Sequence, residues 1–152
     1  MKKAGVILLF AVVFSITASA QNYKTSLGLR AGVPYGLTIK HFMSRSVAVE
    51  GILASRWQGF VATALLEKDA PTGSYPNLHW FWGVGAHIGF WDSNPYVNTT
   101  GSVVGLDGIL GLEYTFDEIP LNLSLDLLPS VNIFGSTGWG GINGALSIRY
   151  VF

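Results

Sequence analysis

The chain has 152 residues, room for one domain and hardly two, and its charges cancel, nine Lys and Arg against nine Asp and Glu. Charged residues make up 12% of it, about half the share usual in soluble domains, and no basic excess exists to draw nucleic acid. It has no cysteine, which excludes disulfide staples, cysteine-based zinc sites and a lipid-modified cysteine.

Residues 1–20 read as a secretory signal peptide. Lys2 and Lys3 precede an apolar core from Ala4 to Ile16, too short to span a bilayer, and Ala18-Ser19-Ala20 offers a small-residue cleavage site. The mature chain, residues 21–152, is expected to begin near Gln21. With Lys2 and Lys3 gone, seven basic residues face nine acidic ones, a formal charge of −2.

From there the sequence alternates between apolar and polar positions, broken by turn residues, which predicts strands. In chain order they are Tyr23–Gly32, Tyr35–Met43, Val47–Trp57, Gly59–Lys68, Leu78–Trp91, Ser102–Phe116, Leu121–Phe134 and Gly140–Phe152. Turn chemistry separates them at Val33-Pro34, Ser44-Arg45-Ser46, Ala70-Pro71-Thr72-Gly73, Asp92-Ser93-Asn94-Pro95, Asp117-Glu118-Ile119-Pro120 and Gly135-Ser136-Thr137-Gly138. Pro129 falls inside the seventh strand, where a bulge is expected because proline cannot donate to the ladder.

The two parities differ. One carries Leu27, Leu37, Leu53, Trp80, Val84, Leu110, Leu125 and Ile148, with no charge in mid-strand. The other carries Lys24, Arg30, Lys40, Glu50, Arg56, Glu67, His87, Asp107, Glu113, Asp126 and Arg149. That face balances itself, five basic residues against five acidic. Arg45, Lys68, Asp69, Asp92, Asp117 and Glu118 fall in turns or at strand ends. A soluble carrier barrel would be charged outside and apolar within. No mature apolar run reaches the ~20 residues of a membrane helix, and a closed β-barrel is the other structure that satisfies its backbone in lipid. The expected fold is therefore all-β, an antiparallel up-and-down transmembrane β-barrel of eight strands. Aromatics near strand ends, among them Tyr35, Phe60, Tyr114, Tyr150 and Phe152, fit a girdle at the membrane surfaces.

The signal peptide, the eight alternating strands and the terminal Tyr150-Val151-Phe152 resemble the small OmpA/OmpX-type outer-membrane barrels of Gram-negative bacteria. The stretches LTIKHF, FWGVGAHIGFW and DGILGLEYTF, followed by DEIPLNLSLDLLPS, are similar to small barrels of Bacteroidetes-type bacteria. The resemblance implies an outer-membrane location and lipid contact. It also implies a transient encounter with the barrel-assembly machinery, which would read Leu146, Ile148, Tyr150 and Phe152.

Chemistry is sparse. His79 and His87 share a parity but stand eight residues apart, roughly 27 Å along a strand, so they cannot share a metal. His87 and Asp107 face the same side on adjacent strands and can hydrogen-bond, but no spacing brings Ser124 or Ser147 to them as a nucleophile. Glu50 or Glu67 with Arg56 or Lys40 reads as an interior ion network. The stretch GVGAHIG is not followed by a helix and is no dinucleotide loop. No catalytic residue, metal or cofactor is expected.

The functional expectation is a non-enzymatic integral outer-membrane protein with a structural or surface-interaction role, acting through loops 92–101 and 135–139 on a surface ligand that the residues do not name. The alternative is a barrel that handles lipid or a small ligand, up to a lipid-modifying enzyme.

Overall fold

A computed structural model describes residues 24–32, 35–56, 59–91, 101–135 and 138–152. The expected signal peptide, Tyr23, the Val33-Pro34 and Trp57-Gln58 turns, residues 92–100 and Ser136-Thr137 lie outside the described residues. Eight strands follow in order: β1 (Thr25–Gly32), β2 (Tyr35–Phe42), β3 (Val47–Arg56), β4 (Gly59–Pro71), β5 (Leu78–Trp91), β6 (Gly101–Thr115), β7 (Leu121–Phe134) and β8 (Gly138–Val151). Each pairs antiparallel with its neighbours in sequence, and β1 pairs with β8, so the sheet closes into a barrel. Closure leaves no free sheet edge. Among the described residues no helix is long and apolar enough to cross a membrane.

The period of two sends successive side chains to opposite sides, and the sides differ as the sequence does. Leu27, Leu37, Leu53, Trp80, Val84, Leu110, Leu125 and Ile148 are exposed on the outer wall. Aromatic pairs stand at both rims. Tyr114–Phe116 and Tyr150–Phe152, with centroids 5.0 and 5.2 Å apart, lie at the end where the backbone of Lys24 meets Phe152, and Phe60–Phe90, at 5.5 Å, lies at the other.

Boundaries move by a few residues. β6 takes in Gly101 and β8 starts at Gly138, which shortens the loops expected at 92–101 and 135–139. β4 runs three residues past Lys68, to Pro71, pairing Asp69 with Phe81 and Pro71 with His79. Asp69, expected in a turn, is thereby a strand residue of inward parity. The connection between the fourth and fifth strands, 69–77 by the expected strand bounds, shrinks to residues 72–77, where the amide of Thr72 donates to the carbonyl of Leu78.

The β6–β7 ladder is interrupted at Pro129, as expected, and shifts register beyond it, where Val104 pairs with Phe134 and Gly105 with Asn132, so that Ile133 is an extra residue in β7. Pro129 pairs with Ile142 in the β7–β8 ladder, while the β6–β7 pairing passes from Asp107–Ser130 to Leu110–Leu127. Against β8, Ser130 faces Gly141 and Val131 faces Trp139, so Gly140 is the extra residue of a bulge. Gly141, beside it, has φ 98°, a value that favours glycine.

Candidate functional site

The barrel interior is stacked in three layers, set by which inward residue each strand supplies at each height. Nearest the end that holds Lys24 and Phe152 is an ionic layer. An apolar cluster follows on the β3–β7 side, made by Ile52, Ala54, Leu65, Phe81, Ile109 and Leu128. Beyond it lies a polar layer around His87 and Asp107. On β3 the order is Glu50, Ile52, Ala54; on β4 it is Asp69, Glu67, Leu65, Thr63.

Two cations organise the ionic layer. Lys40 on β2 places Nζ 2.9 Å from Glu67 Oε2 on β4, 3.0 Å from Glu113 Oε1 on β6 and 3.7 Å from Asp69 Oδ2. Its ammonium also sits 4.3 Å from the centroid of the Phe81 ring, a cation–π contact strengthened by desolvation. Arg149 on β8 donates from Nη2 to Glu50 Oε1 at 2.5 Å, from Nη1 to Ser124 Oγ at 2.7 Å and Asn122 Oδ1 at 3.3 Å, and from Nε to Thr38 Oγ1 at 3.3 Å. The Thr38 hydroxyl donates in turn to Glu50. Asn122 Nδ2 donates to Glu113 Oε2 at 3.0 Å and to Thr115 Oγ1 at 2.9 Å. This amide thus links the Arg149 side of the layer to the Lys40 side.

Deeper along the bore, Arg30 on β1 and Asp126 on β7 form a two-pronged pair at 2.6 and 2.7 Å, the geometry in which guanidinium and carboxylate bind most strongly. In the polar layer, His87 Nδ1 lies 2.8 and 2.9 Å from the Asp107 oxygens and Nε2 lies 3.0 Å from Asn132 Oδ1. The imidazole lies over Gly105, where an added Cβ would sit 2.4 Å from its Cε1 and 2.5 Å from the backbone oxygen of Val131.

Arg30, Lys40, Glu50, Glu67, His87, Asp107, Glu113, Asp126 and Arg149 are all inside, at most 7% exposed. Glu67 meets Lys40, whereas the partner of Glu50 is Arg149. Lys24, expected among the interior charges, is exposed. It precedes β1, where its backbone bonds Phe42 and Phe152, and at the rim the inward parity no longer leads into the bore. The side chain of Arg56 lies outside the described part of the structure. Asp69 is buried and joins the layer, with His79 Nδ1 2.5 Å from its Oδ1.

Thr38, Asn122 and the apolar cluster did not stand out in the sequence, although parity alone puts each of them inward. Ser124 accepts from Arg149 rather than serving His87. Among the described residues no group of three or more His, Asp and Glu is arranged to hold a metal. On β8, Leu146 and Ile148 are exposed on the outer wall, and Tyr150 and Phe152 are half-buried at the rim.

Chemically the interior is a set of crossbars. Lys40–Glu113 joins β2 to β6, Arg149–Glu50 joins β8 to β3, and Arg30–Asp126 joins β1 to β7. An unpaired charge here would cost several kcal/mol, so the pairing bears directly on how the strands can close. The fold and the site define a closed eight-stranded antiparallel β-barrel, apolar outside and ionic within. No protein-family model, curated protein or solved structure matches the chain.

Proposed function

We propose that the chain is a small non-enzymatic integral outer-membrane β-barrel of a Gram-negative bacterium, resembling the OmpA/OmpX type. Its role is structural or one of surface interaction, through the loops around 92–101 and 135–139. In this reading residues 1–20 export the chain and are removed. Outer-membrane lipid surrounds the wall, and the barrel-assembly machinery reads the strand that holds Leu146, Ile148, Tyr150 and Phe152.

One observation carries the proposal. All eight strands turn apolar side chains to the outside, while nine ionisable side chains expected in the interior are buried there. Water would favour the reverse arrangement, and a hydrocarbon surround favours this one. The rim aromatics agree, since amphipathic rings prefer the boundary between lipid and water. The test is fractionation of cells that produce the protein, with gel electrophoresis before and after heating. The expected result is recovery with the outer membrane and faster migration without heating. Recovery in the soluble periplasm, or mobility that ignores heat, overturns the reading.

A lipid- or small-ligand-handling barrel is the second reading. The observation on its side is His87, oriented through Nδ1 by Asp107 as a general base would be, with Nε2 available to a substrate only if Asn132, its partner at 3.0 Å, gives way. His87→Ala decides it: a lipid-modifying activity abolished by this change would replace the non-enzymatic reading.

A further inference from the structure

The end of the barrel that holds Lys24 and Phe152 has an uneven charge. Lys24, Arg45 and Lys68 are exposed, and among the described residues none of the three is in an ion pair. They sit on consecutive elements. The carbonyl of Lys24 accepts from the amide of Phe42 at 2.7 Å at the end of β2, the amide of Met43 bonds Val47 at 2.9 Å across the turn that carries Arg45, and Val47 pairs with Lys68. Three inter-strand steps make an arc about 15 Å wide from β1 to β4. His41, exposed on the same arc, is hydrogen-bonded through Nδ1 to the Thr25 hydroxyl at 2.8 Å. The exposed Asp and Glu side chains among the described residues are Asp117 and Glu118, both in the β6–β7 turn.

The wall next to the cations is apolar. Leu66 precedes Lys68 by two positions on the outer face of β4, and Ile39 stands likewise to His41 on β2, with Leu27 and Val49 on the strands beside them. A partner that satisfies both features carries anionic groups on an apolar body. Long basic side chains at such a boundary lay their stems on the apolar surface and hold their charges among headgroups.

We propose that the β1–β4 arc of this rim, through Lys24, Arg45 and Lys68, is a binding sector for anionic phospholipid, with headgroup phosphates at the cations and acyl chains along the Leu27, Ile39, Val49 and Leu66 wall. The proposal rests on the outer-membrane reading above and adds the lipid class and the sector of wall that selects it. The β6–β7 side of the rim, with Asp117 and Glu118, repels the same lipid.

The purified protein is folded into phosphatidylcholine vesicles with and without a minor fraction of phosphatidylglycerol, extracted gently and weighed by native mass spectrometry. Phosphatidylglycerol is expected to stay bound in preference to phosphatidylcholine. The K24Q/R45Q/K68Q variant is expected to lose that enrichment, by roughly five-fold per cation at low ionic strength, and D117N/E118Q to retain it. Inorganic phosphate is expected not to displace the lipid; displacement would overturn the lipid as occupant and leave a simple anion site. Enrichment unchanged in the triple variant, or a heat-modifiable barrel with no preference between the lipids, overturns the sector and leaves the membrane reading standing. A protein that gains no heat-modifiable fold in either vesicle overturns the membrane reading itself.

Discussion

Arg149 is the most heavily engaged side chain of the interior. Its side-chain exposure is nil and so is that of Glu50, so removing the guanidinium leaves a carboxylate without its counter-charge away from water. Arg149→Met is predicted to lower unfolding stability by about 3–5 kcal/mol, the usual cost of breaking a buried pair from one side. Urea unfolding of the protein in lipid vesicles measures it, and a loss below about 1 kcal/mol would show that water reaches the layer. The isolated Arg30–Asp126 pair separates charge from packing. Arg30→Leu and Asp126→Leu are each expected to cost several kcal/mol, while the double variant recovers much of the loss, because a buried pair is often worth little more than apolar side chains of similar volume. Additive losses in the cycle would contradict direct pairing.

At the scale of the element, alternation marked every strand from its own residues. Its ends were harder, because strand length depends on what the neighbour offers. β4 reads as ending at Lys68, yet the length of β5 supplies Phe81, Trp80 and His79 as partners for Asp69, Ala70 and Pro71, and the extension carries Asp69 into the interior. The bulge shows the same dependence. Pro129 announces an irregularity in β7, yet the extra residues are Ile133, further along β7 against β6, and Gly140 in β8, where Gly141 can take a positive φ. Gly141→Ala is predicted to destabilise by about 1–3 kcal/mol through backbone strain, although nothing lies within 4 Å of the position of an added Cβ. Thermal melting of the barrel tests this, and an unchanged midpoint would mean that the bulge can move along the strand.

At the scale of the molecule, the outer wall and the filled bore each make a prediction. Leu110 is 52% exposed and pairs with Trp82 on one side and Leu127 on the other. In lipid, Leu110→Arg is predicted to cost about 2–4 kcal/mol near the midplane; in water the same exposed substitution would be nearly neutral. Unfolding of the variant in vesicles discriminates, and a cost near zero would count against lipid contact. Eight strands enclose a bore that side chains can fill, and here the apolar cluster of β3–β7 and the buried ionic network occupy it together. The protein is therefore predicted to give no steady single-channel conductance in planar bilayers. Stable open steps would show that these side chains move aside.

The sequence by itself determined the number of strands and, along most of each, which parity faces inward, because a period of two is a local property that each strand displays alone; the turns between them implied antiparallel order. It marked Lys40, Glu50, Glu67, Glu113 and Arg149 as companions on one side of the sheet. It could not choose among partners. Lys40 meets Glu113 from four strands away and Arg149 meets Glu50 across the closing seam, and such pairs depend on strand tilt, register and bulges, which only closure sets. The same closure takes Lys24 out of the interior and brings Asp69 in, because whether an inward-facing charge is buried depends on how far neighbouring strands extend around it.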